Sequence, residues 1–239
     1  MPYYYYGYGY GYDSYNMLLL FAMIAVMVIG FIAQRRVQSV FNKYNQSSAY
    51  CGKTAAEVAS ELLYQNASDV KLTQVQGALT DHFNPKTKTV GLSGLVYGSS
   101  SVAALAVAAH EIGHVMQYEE GYAPIKIRNS LLPVANLGSR LAPFIVIAGL
   151  LMYSYMLAMV GVVLFGAALL FQLITLPVEF NASSRAIEML SSGGYITADE
   201  SSDAKRVLRA AAMTYVLATI ASALSFLRVL MIAQRTRRN

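Results

Sequence analysis

This sequence predicts a mainly α, polytopic membrane protein with about four transmembrane helices and a small α+β region, and three observations carry that expectation. Apolar residues make up 56% of the 239 and charged residues 13%, with a mean hydropathy of +0.42, a balance that suits a bilayer-spanning chain. Several uncharged runs are long enough to cross a hydrocarbon layer about 30 Å thick. Between the first run and the next lies a polar stretch with the capping and alternation signals of a small folded region.

Residues 1–16 form a Tyr/Gly-rich low-complexity tail without a periodic apolar face, expected to be disordered or to lie at the membrane interface, where tyrosines are comfortable. The rest, 17–239, reads as one membrane-embedded domain. Its first span, Met17 to Ala33, is uncharged and followed at once by Arg35 and Arg36. With no basic segment before it and no small-residue cleavage site after it, the span is expected to be an uncleaved anchor. The first 16 residues lack Lys and Arg, whereas the 34–140 stretch opens with two arginines and closes with Arg140. The positive-inside rule then puts this stretch in the cytosol of a multi-pass cell-membrane protein. The lone Cys51 has no intramolecular disulfide partner, which suits a reducing compartment.

Thr54-Ala-Ala-Glu57 matches a capping box and should open an Ala/Leu-rich helix to about Asn66. Val70 to Val75 alternates as a strand does, Ala78 to Phe83 suggests a second, and the Asn84-Pro85-Lys86 turn leads to a third over Thr89–Ser93. The last is expected to lie at the sheet edge, positioned either to pair with an extended peptide or simply to cover the next helix. That helix follows Ser99, Ser100 and Ser101, which offer N-cap oxygens, and is rich in Ala and Leu.

From Ala142 to Leu176 the chain runs 35 residues without a charge, well beyond one bilayer core. One long helix and a hairpin of spans 142–153 and 156–176 turning near Tyr153-Ser154-Tyr155 compete, and the hairpin is expected because a single crossing would carry the chain after Pro177 to the side opposite His110. A fourth span, 210–233, ends in a basic cluster and is expected to cross, with a re-entrant or interfacial placement as the alternative.

His110-Glu111-Ile112-Gly113-His114 carries the chemistry. On a helix the two histidines stand at i and i+4, on one face, and can share a metal ion. Glu111 beside them can take a proton from water acidified by that ion. A hydrolytic zinc wants a third protein ligand. Gln117 and Glu120 stand where the metzincin extension needs Gly and His, so a carboxylate is expected instead. Glu179 is the candidate, read as the start of a helix after Pro177 on the side to which the hairpin returns; an interfacial charge facing water is the other reading. Glu119 and Glu120 follow the motif too closely to fold back onto its face, and Glu188, Asp199, Glu200 and Asp203 lie in a more polar segment.

Taken in order, Leu79-Thr-Asp-His82-Phe83, Val107-Ala-Ala-His110-Glu-Ile-Gly-His114-Val-Met-Gln117 and Leu176-Pro-Val-Glu179-Phe, with a hydrophobic hairpin between the last two, resemble the bacterial family of neutral membrane zinc metallopeptidases over nearly the whole chain beyond the tail. The resemblance implies a membrane-embedded gluzincin with a small cytosolic zincin-like region, one zinc held by His110, His114 and Glu179, and Glu111 as general base. It implies a membrane-bound zinc metalloendopeptidase acting on protein or peptide substrates. Asn181 and Ser183 stand where gluzincins often place an acidic residue that orients a histidine ligand. Arg185, Tyr195 and His82 are the candidates for stabilising the oxyanion.

The net charge of +5 does not point to nucleic acid, because the basic residues cluster beside apolar spans; membrane lipids are the expected partner. An intramembrane protease of the site-2 type would need an aspartate in its apolar segments, and there is none. The alternative to an enzyme is a non-catalytic zinc-binding scaffold or assembly factor. The presence of Glu111 argues against it, since structural zinc takes four protein ligands and needs no base.

Overall fold

In chain order the elements of the computed structural model are α1 (Gly7–Tyr44), α2 (Ala55–Gln65), β1 (Lys71–Val75), β2 (His82–Asn84), β3 (Thr89–Ser93), α3 (Gly94–Tyr97), α4 (Val102–Glu119), α5 (Ala123–Leu151), α6 (Tyr155–Ser192) and α7 (Ala198–Thr236). It describes the backbone of residues 7–236 and the side chains of 17–234. Among the described residues four helices are long and apolar enough to cross a membrane: α1, α5, α6 and α7. The chain divides into two units, one comprising the segment up to Ile32, Arg128–Leu173 and the chain from Tyr215, the other Ala33–Ile127 and Ile174–Thr214.

In the first unit the expected hairpin is present. Tyr153 turns the chain with a left-handed φ of 51°, the Ser154 N–H donates back to the Gly149 carbonyl (2.8 Å), and the Ser154 hydroxyl accepts from the Leu157 N–H (3.3 Å), capping α6. Small residues let α5 and α6 approach: a side chain on Gly138 would collide with the Leu164 carbonyl, and one on Gly161 with Val146. Such contacts drive helix association in lipid, where burying apolar surface yields nothing. Helix α5 begins at Ala123, well before the expected span at 142, and runs through Pro133 and Pro143. Residues 1–6 of the Tyr/Gly-rich tail lie outside the described residues. From Gly7 the tail is helical, because extending the helix already nucleated at Met17–Ala33 costs far less than starting a new one.

The second unit is built around α4. Its alanines admit close neighbours on every side, and Ala103, Ala106, Ala109, Ile112 and Val115 are fully buried in a core shared with Val58 and Leu62 of α2, Val90 and Leu92 of β3, Leu190 of α6 and Leu208 of α7. Both predicted caps form. The Thr54 hydroxyl accepts from the Glu57 N–H while the Glu57 carboxylate accepts from the Thr54 N–H (2.7 Å), and Ser101 accepts from the Ala104 N–H (3.1 Å) at the start of α4. Asn45 Oδ1 in turn accepts from the hydroxyls of Ser99 and Ser101 (3.0 and 2.6 Å).

The sheet differs from expectation in two respects. Strand order is β1-β3-β2, with β1 parallel and β2 antiparallel to β3, so the strand before α4 is central rather than an edge. The second strand is His82–Asn84 only, because Gly77 (φ 102°) and Leu79 (φ 55°) turn the chain over the stretch read as extended.

Candidate metal centre

Helix geometry puts His110 and His114 one turn apart on α4, with ring centroids 4.7 Å apart and planes at 82°. From α6, Glu179 meets both: its Oε2 lies 3.3 Å from His110 Nε2 and 3.7 Å from His114 Nε2. One ligand atom from each of the three residues falls within 4.8 Å of the others. Tetrahedral zinc with arms of 2.0–2.1 Å has ligand-to-ligand edges of about 3.3 Å. Two imidazole nitrogens and a carboxylate oxygen at these separations are a donor set that fits that ion.

The approach of the two helices depends on Gly113. A β-carbon there would lie 2.7 Å from the Ala182 carbonyl oxygen of α6, so only a hydrogen lets the backbones come this close. Glu179 is 2% exposed and sits inside a helix that runs unbroken through Pro177. It does not begin a helix, as the sequence suggested; the missing proline N–H costs one hydrogen bond, which the flanking turns absorb.

Each histidine is held by its other nitrogen. His110 Nδ1 meets the Ser183 hydroxyl (3.2 Å), and His114 Nδ1 meets Gln117 Oε1 (3.0 Å). Gln117 is fully buried, and its amide nitrogen donates to the Val178 carbonyl (2.8 Å) and to Asn181 Oδ1 (2.9 Å). Both amide hydrogens are thereby committed, so the side that faces His114 is the acceptor. His114 must carry its proton on Nδ1 and leave Nε2 as a lone pair toward Glu179. Thus Asn181 and Ser183, in place of an acidic residue, both serve histidines, Asn181 through Gln117. Sequence reasoning passed over Gln117 as a mere departure from another motif; its place one turn after His114 was the available signal.

Burial pushes the Glu111 carboxyl up from its ordinary value, against the pull of the two imidazoles. Arg185 is spoken for. Its Nε donates to Asn181 Oδ1 (2.9 Å) and its two terminal nitrogens to the Glu120 carboxylate (2.7 Å each), so it braces the network behind His114. Tyr195 donates to Glu61 (3.0 Å), and His82 is exposed, with Nδ1 on the Thr80 carbonyl (2.8 Å). None of the three is shown in contact with the His110–His114–Glu179 cluster. Among the competing acids, Glu119 accepts from Ser68 (2.6 Å), Glu200 from the Thr197 N–H (2.8 Å), and Asp203 pairs with Arg206.

Comparison with known proteins points to a zinc peptidase family. The family model described as putative neutral zinc metallopeptidase matches residues 19–234. The chain is 44% identical over 217 residues, 90% of this chain and 96% of the relative, to a protein of Bacillus subtilis (strain 168) named putative membrane protease YugP. No solved structure matches the chain.

Proposed function

Because the chain belongs to the family of putative neutral zinc metallopeptidases, hydrolases acting on peptide bonds, we propose that it is a membrane-bound zinc metalloendopeptidase in which His110, His114 and Glu179 hold one zinc and Glu111 is the general base. The observation that carries the reading is the meeting of two histidine Nε2 atoms with one buried carboxylate at tetrahedral spacing. A zinc ion held there supplies an electrophile for the scissile carbonyl and acidifies water. Glu111 takes the proton from the attacking water and returns it to the departing amine nitrogen. Gln117 and Ser183 keep the imidazoles turned with Nε2 inward. Arg35 and Arg36 after the first span support a cytosolic active site with protein or peptide substrates reaching it from the aqueous side.

The test is zinc content and casein proteolysis of the detergent-purified chain, wild type beside Glu179→Ala and Glu111→Gln. One zinc per chain, lost in Glu179→Ala and kept in an inactive Glu111→Gln, is the expected pattern. Zinc unaffected by Glu179→Ala would overturn the ligand set. A zinc-loaded wild type without proteolysis would turn the reading to a non-catalytic zinc scaffold.

A further inference from the structure

Helix α1 leaves its apolar run at Ala33 and α7 enters its own at Ala210, and between these stretches the second unit has a groove of about 440 Å³. Arg36, Lys43 and Tyr44 from α1 and Arg206, Arg209 and Met213 from α7 line it. The helices run antiparallel here, as the Arg206 guanidinium donating to the Tyr44 hydroxyl (3.0 Å) shows at one end. Four cations therefore share one groove, and the carboxylate against them is Asp203, 3.2 Å from Arg206. Among the described residues neither Arg36 nor Arg209 has an acidic partner. At the opposite end the lining is Ala33, Ala210 and Met213, where the two apolar runs begin.

We propose that this groove binds an anionic phospholipid of the surrounding leaflet, its phosphodiester between Arg36 and Arg209 and its acyl chains over the Ala33–Met213 end. Charge decides for an anion: guanidinium groups offer paired donors matched to phosphate oxygens, and the excess of cations leaves that demand unmet within the protein. The apolar end decides for a lipid over a soluble phosphate, which would use only half the groove. Basic clusters at the point where helices meet a membrane surface recognise such headgroups. The site is separate from the His110–His114–Glu179 centre, so it does not depend on the assigned activity.

The experiment is native mass spectrometry of the full chain released from micelles doped with phosphatidylglycerol or with phosphatidylcholine, comparing wild type, Arg36→Gln/Arg209→Gln and Lys205→Gln. Lys205 is an exposed cation of α7 outside the groove and controls for charge alone. Wild type is expected to retain phosphatidylglycerol over phosphatidylcholine. The double variant should lose affinity roughly thirtyfold, from about fivefold per arginine, while Lys205→Gln stays within about twofold. Equal retention of the two lipids by wild type overturns the proposal even if the double variant does not fold. So does an equal loss per charge in Lys205→Gln, which would mark a diffuse surface potential. Displacement of the lipid by excess inorganic phosphate would make the groove a soluble-anion site and overturn it as well.

Discussion

Replacing Gly113 by alanine tests whether the contact between α4 and α6 sets the ligand separation. The new β-carbon would sit 2.7 Å from the Ala182 carbonyl oxygen and 3.2 Å from its carbonyl carbon. Carbon-to-oxygen contacts settle at about 3.3 Å or more, so the helices must part locally by roughly 0.6 Å. Overpacking of this kind costs about 1–3 kcal/mol, and alanine returns about 1 kcal/mol of helix propensity, leaving a net loss of about 0–2 kcal/mol. Zinc feels it more. His110 and His114 flank Gly113, and Glu179 lies one turn before Ala182, so the movement opens the 3.3 Å edge between His110 and Glu179. Sites of this type lose function when ligands stray beyond about 0.5 Å, and an affinity loss of roughly 10- to 100-fold is expected, the range seen when ligand-orienting partners are removed. The assay is competition for zinc against a chelator on the detergent-purified chain, with thermal unfolding of the metal-free form alongside. Gly98→Ala, at a position with no atom within 4 Å, controls for the substitution itself. If Gly113→Ala binds zinc within about twofold of wild type, the glycine contact does not set the ligand separation and the reasoning fails.

Glu111→Gln should keep zinc and lower proteolysis by about 10²- to 10⁴-fold, the usual contribution of a general base; full activity would remove Glu111 from its assigned part. Gln117→Leu leaves His114 Nδ1 without its acceptor and cuts two donations to α6. Chelator competition should show zinc affinity down by about 10- to 100-fold, and denaturant unfolding a stability loss of about 1–3 kcal/mol. Lys53, then Tyr195, hold the Glu61 carboxyl below its ordinary value of 4.5. The folded form thus favours the ionised state: that stabilisation is present above pH 4.5 and is lost as pH falls below it. Glu61→Gln should flatten the acid limb of the stability profile measured by thermal unfolding, and an unchanged limb would show that other carboxylates dominate it.

What could be read from the sequence was what local spacing encodes. The i, i+4 histidines, the Thr54–Glu57 box, the Ser101 cap and the turn at Tyr153 each depend on residues within one or two helical turns, and each stands where the pattern put it. Four apolar helices were legible because the bilayer imposes a length. The central place of β3 was not, since its parallel pairing with β1 is decided by how residues 76–81 turn rather than by the strand's own alternation. Nor was the part played by Gln117, one of whose three side-chain hydrogen bonds is to a backbone carbonyl that any residue at position 178 would offer. Helix α5 hid its first turns behind Lys126, Arg128 and Pro133, and Pro177 disguised the middle of a helix as its beginning.

The unbroken run of α6 from Tyr155 to Ser192 sets an order of events in synthesis. When the ribosome has delivered α4, the proposed centre has His110 and His114 and no third ligand, too few for a catalytic zinc. Glu179 emerges only after the apolar half of the same helix. The proposed centre is therefore completed only once α6 has been made, and a nascent chain stalled before α6 lacks one of its three candidate ligands. With the proposed ligand set, residue order alone defers the completed site until the apolar segment of α6 has been made.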